Sequence, residues 1–232
     1  MRIAIVGYGR MGRAVAEAAR ARGHEIAATL DVADNPGGAA LTAERLAGAD
    51  VAIEFTAPDA APRNIERLVE AGVPVVSGTT GWAAGLPRVA ELVRRRNGAL
   101  LHGSNFAVGV QLFLRAAREL ARAFAGRTEF DAFILEQHHA RKADAPSGTA
   151  LTLEQRAREG DPARPFPITS IRAGAIPGIH ALTYDGPHDT VELRHTARSR
   201  DAFAAGAVAA AEWLPGRRGV FTFEDMLFGE SR

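Results

Sequence analysis

"RIAIVGYGRMG", residues 2–12, sets a short β-branched apolar run against three glycines and the opening of a helix-favouring segment. Arg2 to Val6 reads as a strand. "RMGRAVAEAARARG" reads as a helix, because alanine and arginine favour one and Gly23 stops it. Between them Gly7, Gly9 and Gly12 fit G-x-G-x-x-G. The first glycine permits the tight turn, the second lets a diphosphate approach the backbone, and the third lets helix and strand pack closely. A helix beginning there directs free N–H groups and partial positive charge at phosphates. Asp31 ends the next strand, 19 residues beyond Gly12, where an acid can bind the ribose hydroxyls of an adenosine.

The same rhythm continues outward. "HEIAATLD" (24–31) is followed by a helical segment from Thr42 to Ala47, "DVAIEFT" (50–56) by "APRNIERLVEAG" (61–72), and "VPVVSGT" (73–79) by "LPRVAELVRRRNG" (86–98); "ALLHGS" (99–104) closes the series. Five strands with crossover helices predict a parallel sheet. Their unbroken apolar runs predict cover on both faces. After Phe106 the rhythm changes to a long helix from Val108 to Ala125 and a longer strand, "EFDAFILEQHH" (129–139). A helix from Ala150 to Arg158 comes next, then strand-like segments at "PITSIRAG" (167–174), "IHALTYDG" (179–186) and "DTVELRHTA" (189–197). Without regular crossovers these predict an open, mostly antiparallel or mixed sheet. "DAFAAGAVAAAEWLPG" (201–216) and "GVFTFEDMLF" (219–228) read as helical and return to the first domain.

Composition narrows the function. With 28 basic and 27 acidic residues the net charge is +1, which gives no electrostatic case for a nucleic-acid or membrane partner and favours a small ligand. The absence of cysteine excludes disulfides and thiolate chemistry and fits a reducing compartment. The opening residues are too briefly apolar for a signal-peptide core or a membrane span, so the expected location is the cytoplasm.

Two further turns sit at strand C-termini, where open α/β sheets place ligands. Gly78, Thr79 and Thr80 follow the fourth strand, and Ser104, Asn105 and Phe106 follow the fifth; backbone and hydroxyl groups there can hold the nicotinamide end of a dinucleotide, or serve as ordinary caps. A 2′-phosphate beside Asp31 needs a nearby arginine. The next residues are Val32, Ala33 and Asp34. NADH is therefore the expected cofactor, with NADPH tolerated through Arg10 or Arg13.

The chemistry points to "EQHHARKADAPSGTA", residues 136–150. All but one of the 28 basic residues are arginine, and the exception is Lys142 in this stretch. A lysine ammonium can give up its proton when its surroundings lower its pKa from about 10.4, whereas guanidinium stays charged. His138 and His139 are adjacent, so on a strand they point to opposite faces. Pro146 sets a turn, Ser147 can cap the following helix, and the N–H groups of Gly148 and Thr149 with the Thr149 hydroxyl can cradle a carboxylate. Histidine, lysine and a helix N-terminus together describe a pocket for a small anionic substrate that receives a proton. Convergence of His138, His180, His188 and His195 on a metal is the rival reading. No HExxH or cysteine-rich spacing supports it, and no metal is expected.

Every specified position of E-x-H-H-x-x-K-x-D-A-P-S-G-T-A is present from Glu136 to Ala150, and this pattern resembles the signature of bacterial 4-hydroxy-tetrahydrodipicolinate (dihydrodipicolinate) reductases. "VGYGRMG", "EFTAPDA", "VVSGTTGW", "SNFAVGV", "HTARSRDAFAAGAV" and "FTFEDML" extend the resemblance over nearly the whole chain. It implies an oxidoreductase of the diaminopimelate route to lysine, with His138 as general acid/base and Lys142 as proton donor. His139, Ser147, Gly148 and Thr149 would meet the substrate carboxylates, with Arg200 as a further contact. Gly7, Tyr8, Gly9, Arg10, Met11, Gly12, Asp31, Gly78, Thr79, Thr80, Gly103, Ser104, Asn105 and Phe106 would hold the nucleotide. The implied fold is a Rossmann-type doubly wound parallel sheet over 1–106, completed by 207–232. An α+β substrate and tetramerisation domain of mixed sheet is inserted over 107–206, giving a homotetramer. Two departures stand out: the glycine loop is a residue shorter than the family's usual G-x-x-G-R-M-G, and Val32 replaces the usual basic residue after the ribose acid. A different two-domain NAD-dependent reductase or amino-acid dehydrogenase, or a non-catalytic NADH-sensing protein, would share the first half alone.

Overall fold

The computed structural model describes residues 1–46, 48–199 and 201–229. Contacts divide the chain into two compact units, one formed by Met1–Val108 with the segment from Asp201 onward, the other by the residues between.

The first unit is a parallel six-stranded sheet. Its strands are β1 (Arg2–Val6), β2 (Glu25–Leu30), β3 (Val51–Glu54), β4 (Val75–Ser77), β5 (Ala99–His102) and β10 (Gly219–Thr222), in the order β10-β5-β4-β3-β1-β2. Ile3 to Val6 and Val51 to Ile53 are completely buried, as strands covered on both faces require. One face packs on α1 (Arg10–Ala21) and α6 (Asp201–Trp213), the other on α2 (Ala61–Glu70) and α3 (Leu86–Arg95). In α1 the buried residues Gly12, Val15, Ala16 and Ala19 recur at helical spacing and form the stripe that faces the sheet. The order of strands reverses at β1, flanked by β2 and β3. Ligands of open α/β sheets bind at such a switch point, and the glycine loop leaves β1 there.

Two expectations fail in this unit. The helix expected from Thr42 to Ala47 is absent: residues 43–46 form turns, Ala47 lies outside the described residues, and a short 3-10 turn occupies Pro36–Gly38. Among the described residues one helical hydrogen bond closes, from Leu46 N–H to Thr42 O (3.0 Å). Gly48 takes φ +77°, a left-handed conformation that cannot continue a helix, and a single turn fixes too many dihedrals for one bond to persist as a helix. "GVFTFEDMLF" is not helical throughout. Its first four residues form β10, paired in parallel with β5 from Gly219↔Ala99 to Thr222↔His102. Helix α7 (Phe223–Phe228) starts only at a capping box, where Thr222 Oγ1 accepts from Asp225 N–H (3.1 Å) and Asp225 Oδ2 from Thr222 N–H (2.7 Å).

The second unit carries a four-stranded sheet of β6 (Asp131–His138), β7 (Ile168–Arg172), β8 (Ile179–Asp185) and β9 (Thr190–Thr196), in the order β7-β6-β8-β9. β6 and β7 are parallel, joined through α5 (Gly148–Gly160), and the other pairs are antiparallel, so the expected mixed sheet is present. Along β6 the even-numbered residues from Ala132 to His138 are buried, which places Glu136 and His138 on one face. Helix α4 (Val108–Phe124) approaches α5 at Gly160, where a Cβ would lie 2.3 Å from Arg118 O. Among the described residues no helix is long and apolar enough to cross a membrane.

Candidate active site

In the first unit the three glycines of the β1–α1 turn have different environments. Gly7 takes φ +88°, and a Cβ there would stand 2.0 Å from Phe55 O; one on Gly12 would stand 2.1 Å from Gly7 O. Both are glycine because the backbone is crowded. A Cβ on Gly9 would meet nothing within 4 Å, and Gly9 caps α1 without a side-chain hydrogen bond or an acidic residue in the first turn. The open surface before α1 thus offers N–H donors with no acidic residue in the helix's own first turn, which fits a dinucleotide diphosphate. Arg10, Met11 and Gly12 form that first turn, and the Tyr8 ring lies 5.2 Å from the Arg13 guanidinium carbon.

Asp31 lies beyond β2 with Oδ1 accepting from Val32 N–H (2.9 Å). It lines a pocket of about 510 Å³ together with Gly7, Gly9, Val32, Arg63 and Asn64. After β4, Gly78 abuts the Phe55 ring, Thr80 is exposed, and the Thr79 hydroxyl donates to Glu54 Oε1 (2.7 Å) while accepting from Thr56 N–H (2.7 Å). After β5, Gly103 N–H donates to Ser77 O (3.1 Å), Ser104 is exposed, and Asn105 Oδ1 accepts from Ala107 N–H (2.9 Å). Phe106 is a core residue, its ring 4.7 Å from that of Phe223, so its backbone is what it can offer a ligand.

Glu54 itself is completely buried at the end of β3. It accepts from Thr56 N–H (2.9 Å), Ser77 Oγ (2.6 Å), Thr79 Oγ1 and the Thr56 hydroxyl. Burial raises its pKa, and these hydrogen bonds oppose the rise without cancelling it.

The second unit holds the residues that the sequence singles out for chemistry. Glu136, also completely buried, sits between a base and a guanidinium: Arg172 Nη2 donates to Oε1 (2.6 Å) and Nη1 to Oε2 (3.0 Å), while His138 Nδ1 is hydrogen-bonded to Oε2. Ser147 N–H adds a longer contact to Oε1 (3.3 Å). Burial works to raise the Glu136 pKa, but Arg172, Ser170 and His138 outweigh it and hold it at about 2. His138 is lowered, first by burial and further by Lys142 and Arg172, against the pull of Glu136. His180 stands beside it, ring centroids 5.1 Å apart, with Nε2 paired to Ser147 Oγ (3.0 Å). Burial and the neighbouring His138 lower its pKa to about 4.

Ser147 caps α5 as its spelling predicts, its Oγ accepting from Ala150 N–H (3.2 Å). Gly148 and Thr149 N–H have no partner within the helix, and a Cβ on Gly148 would point into open space. Lys142 is mostly covered, with its side chain 23% exposed, and its Nζ donates to Asp144 Oδ1 (2.6 Å). His139 is half-buried beside His138; its Nδ1, like Arg172 Nε and His180 Nδ1, has no hydrogen-bond partner among the described residues. Arg200 lies outside the described residues.

Of the four histidines weighed as metal ligands, the fold brings His138 and His180 together with Glu136, their ligand atoms within 4.8 Å of one another. His188 is exposed in the β8–β9 turn, and His195 pairs with His180 across the sheet. A cation in this cluster would face Arg172, which already occupies both Glu136 oxygens. Sequence reading left Glu54, Glu136 and Arg172 without roles. Glu136 had a local signal, standing two residues before His138 on a strand and hence on the same face. Arg172 had none, because only the parallel register His138↔Arg172 brings it there.

The family model described as "Dihydrodipicolinate reductase, N-terminus" matches residues 1–106, and "Dihydrodipicolinate reductase, C-terminus" matches 109–227. The 4-hydroxy-tetrahydrodipicolinate reductase of Christiangramia forsetii is 38% identical over 238 residues, and that of Thiobacillus denitrificans 37% over 267, each alignment covering 98% of both chains. A dipicolinate-bound dihydrodipicolinate reductase from Paenisporosarcina sp. TG-14 superposes with a TM-score of 0.82 at 24% identity, covering 98% of this chain and 99% of that one. With a glycine cradle in one unit, a buried Glu136–His138 pair in the other, and family models matching both halves, this chain belongs to the dihydrodipicolinate reductase family.

Proposed function

We propose that this chain reduces 4-hydroxy-tetrahydrodipicolinate to tetrahydrodipicolinate in the diaminopimelate route to lysine, using a pyridine nucleotide held by the first unit. The observation that carries the reading is the buried Glu136–His138 pair beside Lys142 and the open first turn of α5. When bound, the nucleotide supplies a hydride. The protein's own task is to hold a cyclic dicarboxylate and deliver one proton.

Gly148 and Thr149 receive one carboxylate on their N–H groups, aided by the Thr149 hydroxyl, and His139 meets the acid groups from the neighbouring strand end. Glu136 stays ionised and accepts from His138 Nδ1, which fixes the tautomer and leaves Nε2 as the atom that exchanges a proton. Because burial lowers its pKa, the ring is neutral at pH 7 and gives up any proton it gains readily. Lys142 delivers the proton. Its partner Asp144 has a side chain 58% exposed, so their ion pair is weak enough for a substrate carboxylate to replace it.

NADH is the preferred nucleotide in this reading, because Asp31 matches ribose hydroxyls and Val32, Ala33 and Asp34 bring no cation. Phe133 and Ile171 are each 39% exposed, which supports a homotetramer built on the second unit's sheet. A cytoplasmic location completes the reading. The test is an assay in which pyruvate and aspartate semialdehyde are condensed to generate substrate. NADH oxidation should depend on both precursors, with kcat/KM above that for NADPH. No oxidation of either nucleotide removes the proposed activity; a strong NADPH preference removes the cofactor assignment alone.

A further inference from the structure

The nucleotide pocket contains a cation that the sequence around Asp31 does not reveal. The loop after β2 is docked on α2: Asn35 Nδ2 donates to Asn64 Oδ1 (3.3 Å), and Asn35 Oδ1 accepts from Ala40 N–H (3.0 Å). Gly37 and Gly38 adopt φ of +59° and +79°, and this left-handed backbone without side chains lets the loop lie against α2. The Arg63 side chain lies close beside it. A Cβ on Gly37 would be 3.4 Å from Arg63 Nη1, and one on Gly38 would be 3.8 Å from Arg63 Cγ. Asp31, Asp59 and Arg63 are the charged side chains lining the pocket, so the guanidinium is its one cation among the described residues.

A phosphate ester on the ribose beside Asp31 would meet a carboxylate on one side and needs a fork of N–H donors on the other. Arg63 has that chemistry and shares that pocket. We infer that Arg63 is the contact for the 2′-phosphate of NADPH, supplied by α2 in place of the basic residue that the loop after β2 lacks. The pocket then serves two ligands: Asp31 takes the free ribose hydroxyls of NADH, and Arg63 offsets the repulsion between Asp31 and a 2′-phosphate. This rests on the first unit being a dinucleotide site and goes beyond it by naming the residue that sets the choice.

The experiment compares binding of ADP-ribose and 2′-phospho-ADP-ribose to the full chain by calorimetry, for wild type, Arg63→Ala and Arg63→Lys. Arg63→Ala should weaken 2′-phospho-ADP-ribose about tenfold, as expected for a charge-assisted contact, and leave ADP-ribose within about twofold. Arg63→Lys, with charge but no planar fork, should fall between. The NADPH to NADH ratio of kcat/KM should follow the same order. Equal losses for both probes, or no loss for either, would overturn the assignment. Failure of wild type to bind ADP-ribose would instead overturn the dinucleotide reading on which it rests.

Discussion

Glu54 and Glu136 are both completely buried, each near the C-terminal end of a strand in its own unit, yet their surroundings drive them in opposite directions. Glu54 is surrounded by hydroxyls and one amide from Thr56, Ser77 and Thr79. Such dipoles solvate an anion only in part, so burial prevails and the pKa rises. Glu136 has a bidentate guanidinium from Arg172, and a full opposite charge reverses the effect of burial. In the first unit burial thus works against a charge on Glu54. The second unit keeps a fixed anion against the imidazole to which the proposed function gives the proton exchange.

The contrast is tested most severely at the charges of the second unit. Lys142→Ala should lower kcat by about 10²–10⁴-fold, and Lys142→Arg nearly as much although the positive charge is retained; a loss under about tenfold in steady-state assays would remove proton delivery from Lys142. Next comes Glu136→Gln, which leaves Arg172, a part-buried cation, without its counter-ion and His138 without its anion. Stability in urea should fall by about 3 kcal/mol, kcat should drop at least tenfold by rough estimate, and the acid limb of its pH profile should move. By contrast, Glu54→Gln should change stability by less than about 1 kcal/mol, because an amide oxygen can take the bonds now made to Oε1, the Ser77 hydroxyl can turn to accept from the amide NH2, and Glu54 gains little from its charge. If Glu54→Gln proved the more damaging of the two, the contrast would be reversed.

His180 sharpens the comparison through pH. Its folded pKa of about 4 lies below the ordinary 6.5, so between these values the unfolded chain binds the proton and the folded chain does not. The stabilisation is complete above pH 6.5 and is lost as pH falls through 4, amounting to about 3 kcal/mol at most. Urea midpoints measured from pH 7 to 4 should show this decline, and His180→Asn should flatten it. An unchanged slope would mean that other groups dominate acid unfolding.

Much of this is legible in the sequence. The strand, glycine turn and helix at residues 2–21 follow from local propensity and from backbone crowding at Gly7 and Gly12, both local properties. The Ser147 cap is likewise a matter of neighbouring residues. The Thr42–Ala47 helix failed because six residues of acceptable propensity cannot nucleate between glycines. Strand β10 escaped notice because its partner β5 lies more than a hundred residues upstream.

The sequence alone determined the alternation of strands and helices, the phosphate-facing glycines and the concentration of chemistry from Glu136 to Ala150, since each depends on residues close along the chain. Tertiary structure decided which charges meet. Arg172 reaches Glu136 across 36 positions and His180 reaches Ser147 across 33, while Arg63 of α2 reaches the loop after Asp31. Strand register and loop docking set these encounters. They come from the packing of whole faces, which no local window of residue types encodes.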